Sequence, residues 1–357
     1  MEAQPPHQVT DLSSSDFQIE TISDGLLKPW GIAELPNGSF LVTEFSGALK
    51  HIKNGEVRDI SGLPDDIFVN GQGGLMGIVL APDFASSREL FMSYAYGTKD
   101  ANGTAIFRAR LKGAALTGGE TIFRAGTKAA GSHFGGRMAF LPDDSLILTL
   151  GDGFAYREEA QNLGSHLGKI LRLSRDGTPL ADNPFSDNSE AKAEIYSYGH
   201  RNVQGLIYDA KSGNLWSHEH GPRGGDELNL LKPGANYGWP LATTGRDYNG
   251  ARITPHDTYE GTEPFIHDWV PSIAPSGLAI YRGDKFPQWE GDALVGALAG
   301  QSLWVIDLDG TKSVGETRLL SNLKKRVRDV IVDQDGTILI LTESEDGGQL
   351  LRISPKP

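Results

Sequence analysis

Leu35-Pro-Asn-Gly-Ser-Phe-Leu-Val-Thr43 carries the pattern on which the fold turns. An Asn-Gly turn behind a proline leads into an apolar, β-prone run, which is a hairpin signal. The phrase returns as Ala81-Pro-Asp-Phe84 with Glu89-Leu-Phe-Met-Ser-Tyr94, and as Leu141-Pro-Asp-Asp-Ser-Leu-Ile-Leu-Thr149. It returns again as Tyr208-Asp-Ala-Lys-Ser-Gly-Asn-Leu-Trp216, Phe286-Pro-Gln-Trp-Glu-Gly-Asp-Ala-Leu-Val295 and Val332-Asp-Gln-Asp-Gly-Thr-Ile-Leu-Ile-Leu341. Six hairpins about 45 to 80 residues apart point to radial repetition, one four-stranded blade per copy. Lys169-Ile-Leu-Arg-Leu173 and Gln349-Leu-Leu-Arg-Ile353 read as further strands that complete blades. The early stretch Phe17–Ile22 reads as a strand that pairs into the last blade and closes the ring, removing two exposed edges. The expectation is an all-β, six-bladed β-propeller: a flexible segment over 1–16, then one domain over 17–357 with no linker. A β-sandwich or two β-domains are the alternatives that the same strands allow.

The composition agrees. The 45 glycines among 357 residues are about twice the usual share and suit many tight turns. No apolar run approaches the ~18 residues of a spanning helix, so membrane insertion is not expected. The formal charge of −13 argues against nucleic acid, which needs a cationic face. The absence of cysteine excludes disulfides, zinc-thiolate sites and cysteine nucleophiles. Met1-Glu-Ala-Gln-Pro-Pro-His7 lacks the basic and apolar regions of a signal peptide; if the protein is exported, this is a processed form.

In a propeller the inner strands converge on one channel, so segments distant in sequence meet at its mouth. Five segments are too polar and glycine-rich to be only turns. Asn70-Gly-Gln-Gly-Gly-Leu-Met-Gly77 sets Gln72 among glycines, where backbone approaches a planar ligand closely; without a βαβ context it is no dinucleotide loop. Ser132-His-Phe-Gly-Gly-Arg137 is followed by Leu150-Gly-Asp-Gly153, and a histidine that a carboxylate orients is the ordinary base for work near neutral pH. His133 with Asp152 is that pair. Tyr198-Gly-His-Arg-Asn-Val-Gln-Gly205 offers Arg201, which can neutralise a developing oxyanion, beside Asn202. His218-Glu-His-Gly-Pro-Arg-Gly-Gly-Asp-Glu227 sets two histidines on one strand face. It lacks a third ligand at metalloenzyme spacing, while its carbonyls at Gly221 and Pro222 and its acidic pair Asp226-Glu227 are hard oxygens that suit Ca²⁺. Lys324-Lys-Arg-Val-Arg-Asp329 projects Arg326 and Arg328 from one strand face, where they ask for an anionic partner.

These segments together resemble the soluble, pyrroloquinoline quinone-dependent aldose (glucose/sorbosone) dehydrogenases. Gly71-Gln-Gly-Gly-Leu75, His133-Phe-Gly-Gly-Arg137, Gly199-His-Arg-Asn-x-Gln-Gly-Leu206, Glu219-His-Gly-Pro222 and Arg326-Val-Arg-Asp329 recur in family order, from about Leu27 to the last strand. The resemblance implies a six-bladed propeller that oxidises an aldose sugar at C1 to the aldonolactone and passes electrons to a soluble acceptor. It implies His133 as general base oriented by Asp152, with hydride passing to C5 of the quinone. Arg201 would act as the electrophile over the quinone oxygens, with Gln72, Asn202 and Ser272 as further cofactor contacts. Arg326 and Arg328 would grip the quinone carboxylates. The Gly221 and Pro222 carbonyls would hold Ca²⁺ against the quinone, and Glu227 and Tyr237 match a second, structural Ca²⁺ position. The family also implies a periplasmic or secreted enzyme, monomeric or weakly dimeric. The chain departs from the pattern at Ala299, where the family has a lysine on a cofactor carboxylate. One lost charge-assisted hydrogen bond costs about 1.5–3 kcal/mol of cofactor affinity, with Lys324 or Gln301 as compensation. A non-redox sugar-binding propeller is the main alternative, favoured by Ala299. A Ca²⁺-dependent propeller lactonase would need a cluster of carboxylates that the motifs do not offer.

Overall fold

The structure is a computed structural model that describes residues 9–344 and 347–357. Its strands form six sheets arranged in chain order, a six-bladed β-propeller with almost no helix. The innermost strands are Pro29–Glu34, Leu75–Leu80, Met138–Phe140, Val203–Asp209, Pro275–Ile280 and Arg326–Val332. Each copy of the repeated phrase forms the hairpin from an innermost strand to the second strand of the same blade. Leu35–Thr43, for example, links Pro29–Glu34 to Phe40–Glu44. Lys169–Leu173 and Gly348–Pro355 are third strands, as expected.

Ring closure follows the sequence reading. Phe17–Leu26 forms the outer strand of the sixth blade, antiparallel to Gly348–Pro355, with Phe17 opposite Pro355. It runs past the expected end at Ile22, through two register shifts. The segment 1–16 was expected to be flexible. Its residues 1–8 lie outside the described residues, but Thr10–Leu12 pairs in parallel with Lys312–Leu319 as a fifth strand of the fifth blade. Asp11 there accepts hydrogen bonds from Arg318 and Ser321. The polarity of this stretch reads as solvated, and main-chain pairing to an open edge needs no apolar side chains.

Apolar residues gather between consecutive blades because most strands are buried on both faces. Leu41 and Leu49 face the second blade, while Phe40, Val42 and Ile52 face the sixth. Leu339 and Leu341 face the first blade, and Ile338 and Ile340 face the fifth. Each such side chain contributes about 1.5–3 kcal/mol.

Polar groups then fasten neighbouring blades near the channel. Thr43 Oγ1 donates to the Met76 carbonyl, Ser93 Oγ to Gly136, Thr149 Oγ1 to Val203 and His218 Nε2 to Gly277. Each donor lies near the end of the apolar run in its own phrase and each acceptor belongs to the next blade. The approach is close: a Cβ on Gly77 would lie 2.4 Å from the Gly136 oxygen.

The channel is crossed by one buried ion pair. Arg137 donates from Nη1 to Asp329 Oδ1 (2.7 Å), from Nη2 to the Arg328 carbonyl (3.0 Å) and from Nε to the Gln204 carbonyl (2.8 Å). Its guanidinium lies 4.1 Å from the Trp30 ring centroid. Asp329 Oδ2 accepts the Ile32 N–H at 3.1 Å. Four blades therefore meet on two side chains. Burial opposes both charges, pushing the Asp329 carboxyl up and the Arg137 guanidinium down. Removing one partner leaves the other uncompensated, at about 3–5 kcal/mol. Urea unfolding of Asp329→Leu should show a loss of that size, and Arg137→Met with Asp329→Leu should recover part of it. A loss below about 1 kcal/mol in the single variant would mean that the pair does not hold the ring.

Candidate active site

The sequence-predicted residues fall at equivalent places in successive blades. Gln72, His133, Arg201, Asn202 and Ser272 enter innermost strands, Arg326 and Arg328 begin one, and Asp152, Gly221 and Pro222 follow second strands. All of these lie at one end of the ring.

His133 sits at its centre, 4 % exposed, with φ at +52°. That conformation costs a non-glycine residue on the order of 1 kcal/mol or more and persists only where the surroundings impose it. Here the Gln72 Oε1 accepts the His133 N–H at 2.8 Å. A Cβ on Gly151 would lie 2.3 Å from the His133 oxygen, so the Gly-Asp-Gly turn can pack against this backbone only as glycine. The turn delivers Asp152, whose Oδ1 lies 2.6 Å from His133 Nδ1. Oδ1 also accepts the Phe154 N–H at 2.7 Å, and Oδ2 accepts the Trp239 indole N–H at 2.8 Å. Burial would raise Asp152, but the His133 hydrogen bond and the His133 and Arg201 charges bring it below its ordinary value. It is therefore ionised, and His133 Nδ1 carries the proton. Burial, and secondarily the Arg201 and Lys128 charges, holds His133 below its usual 6.5 against the pull of Asp152. Nε2 is then an unprotonated base at neutral pH, with no hydrogen-bond partner among the described residues.

The neighbours repeat this arrangement of one fixed end and one free end. Asn202 Oδ1 accepts from Gly135 N and Gln204 Nε2, both at 3.3 Å, and Arg201 Nη1 donates to the His220 and Gly221 carbonyls at 3.0 and 2.7 Å. Among the described residues, Gln72 Nε2, Asn202 Nδ2 and Arg201 Nε and Nη2 make no hydrogen bond, and none is among the fully enclosed unsatisfied atoms. Fixed donors facing open space beside a neutral imidazole suit a ligand rich in acceptors.

Other expectations are met differently. Arg326 and Arg328 do share a face, but the anion between them is internal. Glu343 accepts from Arg328 Nε at 2.6 Å and from Arg326 Nε at 3.2 Å, and Arg326 is exposed. Ser272 Oγ donates to Asp226 Oδ2 at 2.7 Å, and Asp226 also accepts the Gly221, Ile273 and Ala274 N–H groups. Asp226 thus clamps a turn, while burial pushes its carboxyl up to about 6. His218 and His220 are not metal ligands but bridges to the fifth blade, His220 Nε2 lying 2.7 Å from the Pro275 oxygen.

For a cation, the donors are oxygens. Pro222 O is unpartnered among the described residues, and Gly221 O already receives Arg201. Glu219, Glu227, Gly221 and Tyr237 line a small cavity of about 10 Å³, room for one water or ion. Burial and the charge of Glu219 raise Glu227 well above its ordinary value, so a cation would relieve both carboxylates. The Tyr237 hydroxyl donates to the Leu230 oxygen and accepts the Lys232 N–H, leaving only its carbonyl as a ligand. Among the described residues no group of three or more His, Asp or Glu side chains is placed to hold a metal.

Sequence reasoning missed Trp239, Glu343 and Lys128. Lys128 is buried behind the dyad, 3.5 Å from the Phe134 ring centroid, donates to Asn102 and Ala130, and is pulled down to about 7 by burial. A lone lysine in Gly126-Thr-Lys-Ala gives no signal of this.

A profile of the glucose/sorbosone dehydrogenase family matches residues 26–352. The chain belongs to that family. It is 42% identical to the aldose sugar dehydrogenase YliI of Escherichia coli strain K12, over 95% of this chain and 93% of that one. The crystal structure of the soluble aldose sugar dehydrogenase from Escherichia coli in its apo-form superposes with a TM-score of 0.91 at 41% identity, covering 95% of this chain and all of that one. The PQQ-bound aldose sugar dehydrogenase of Streptomyces coelicolor superposes with a TM-score of 0.78 at 30% identity, covering 96% and 100%. Membership in this oxidoreductase family accords with a neutral histidine base at the channel mouth. Trp239→Phe would leave Asp152 short of one charge-assisted hydrogen bond, and urea unfolding should show about 1.5–3 kcal/mol lost.

Proposed function

We propose that this protein oxidises an aldose at C1 to the aldonolactone, using pyrroloquinoline quinone and Ca²⁺, with residues 17–357 acting as one catalytic domain and electrons leaving to a soluble acceptor. The observation that carries the reading is His133, with Nδ1 held by Asp152 and Nε2 free. The names of the Escherichia coli and Streptomyces coelicolor relatives support the substrate class and the quinone. The same reading assigns the enzyme to the periplasm or the outside of the cell, and among the described residues no helix is long and apolar enough to cross a membrane.

His133 Nε2 takes the proton of the C1 hydroxyl as the C1–H electron pair departs. Asp152 stabilises the imidazolium that results and keeps the ring in one orientation. When bound, the quinone supplies the acceptor for that hydride. Gln72, Asn202 and Arg201 present their free N–H groups to it, and Arg201 offsets negative charge as it develops. Arg328, with Arg326 at the rim, would meet its carboxylates in competition with Glu343. The Gly221 and Pro222 carbonyls would hold Ca²⁺, and Glu227 with the Tyr237 carbonyl a second one.

A second reading, a sugar-binding propeller that does not retain the quinone, draws on two features: Ala299, and Glu343 already neutralising the arginine pair. Neither Gln301 nor Lys324 has a side-chain hydrogen bond among the described residues.

Reconstitution with pyrroloquinoline quinone and Ca²⁺, followed by dye reduction over a panel of aldoses, separates the two. Turnover that requires both additions is expected; quinone that fails to bind would favour the second reading. In the loaded enzyme His133→Ala should lower kcat by about 10²–10⁴-fold. Because His133 must be neutral and its pKa is depressed, the acid limb of kcat/KM should have its midpoint below pH 6.5. A limb centred above 6.5 would contradict the assignment. Ca²⁺ should raise the Tm of the native chain, and by less in Glu227→Gln.

A further inference from the structure

We infer that Phe154 and Tyr248 form an aromatic shelf leading outward from His133, on which the second sugar ring of an oligosaccharide aldose packs while its reducing end lies at the base. The inference rests on the sugar dehydrogenase reading and narrows its substrate class.

Both side chains are large, apolar and exposed, Phe154 by 51% and Tyr248 by 58%. Phe154 meets the His133 ring edge-on at 5.3 Å between centroids, and Tyr248 lies a further 6.1 Å from Phe154, its ring tilted by only 32°. Each step is comparable with the distance between neighbouring rings in a disaccharide. Two exposed rings inclined by 32° to one another offer an apolar surface, and the faces of a pyranose present C–H groups to such surfaces while its hydroxyls stay in water.

The shelf is built rather than incidental. Phe154 is held at φ +67° by its N–H bond to Asp152, the carboxylate that also orients the base. The Tyr248 loop is tied to the Gly221–Gly225 turn by reciprocal main-chain bonds between Arg223 and Arg246. Arg157 pairs with Asp247 at 3.6 Å, joining this loop to the segment after Phe154. Asp247 in turn accepts the Tyr248 N–H and donates its own main-chain N–H to the Ala251 carbonyl. The polar residues Arg157, Arg246 and Asn249 lie within three positions of the two aromatic residues in the chain, a mixture of apolar and hydrogen-bonding groups that suits a neutral sugar. A monosaccharide with C1 at His133 Nε2 reaches Phe154 at most, so Tyr248 matters only to a longer substrate.

The test compares glucose with maltose and cellobiose. In the reconstituted enzyme Tyr248→Ala should raise KM for the disaccharides by about 2- to 12-fold, the worth of one aromatic contact, with kcat and the glucose KM unchanged; Tyr248→Trp should restore it. Saturation-transfer NMR on the cofactor-free protein should show maltose or cellobiose receiving magnetisation from aromatic protons, lost in Tyr248→Ala. Equal KM changes for glucose and the disaccharides would overturn the shelf, as would disaccharide binding indifferent to Tyr248. So would a defect confined to a protein electron acceptor. Native protein that turns over none of the sugars would count against the dehydrogenase reading alone, because the NMR experiment reads the shelf without chemistry.

Discussion

Arg137 and Asp329 occupy the one place where a propeller cannot be held by apolar packing. Blades press on their neighbours through two-sided apolar strands, but near the axis the strands bring main-chain carbonyls and N–H groups into the buried space around Arg137 and Asp329. Those groups need partners. A guanidinium with its fork of donors, countered by one carboxylate, satisfies carbonyls from two blades and an N–H from a third. The cost of burying the two charges is offset because each of the three guanidinium nitrogens finds an acceptor.

The same economy of fixed ends governs the mouth of the channel. Gln72, Asn202, Arg201 and His133 each use one polar atom to brace the scaffold and leave another turned outward. A site built this way is preorganised before ligand arrives, since no side chain has to abandon an internal bond to make an external one. Glu343 is the exception. It already binds Arg326 and Arg328, so a ligand carboxylate must displace or share it.

Much of this was legible in sequence because the information is local. The phrase of turn and apolar run marks each hairpin at the place where it occurs. His133 and Asp152 could be paired across nineteen residues because one hairpin separates them. What could not be read depends on pairings between distant blades. Trp239 reaches Asp152 from a loop 87 residues away. Glu343 captures the arginines because its strand is the partner of theirs, with a register shift between Val327 and Asp329. Asp226 looked like a metal ligand by composition, but the N–H groups of Ile273 and Ala274, 47 and 48 residues on, and of Gly221 in its own loop surround it.

The closure of the sixth blade has a consequence for how the chain is made. Its outer strand leaves the ribosome long before its partner does: Glu20 and Arg352, paired across that seam, are 332 residues apart. Until that partner is made the early strand has no mate, and the five blades between them form an arc rather than a circle. Non-local pairing of this kind is slow and leaves edges open to other chains. The polar character of Gln18, Glu20, Thr21 and Ser23 then serves as protection during the wait, keeping nascent arcs from joining one another before each can close on itself.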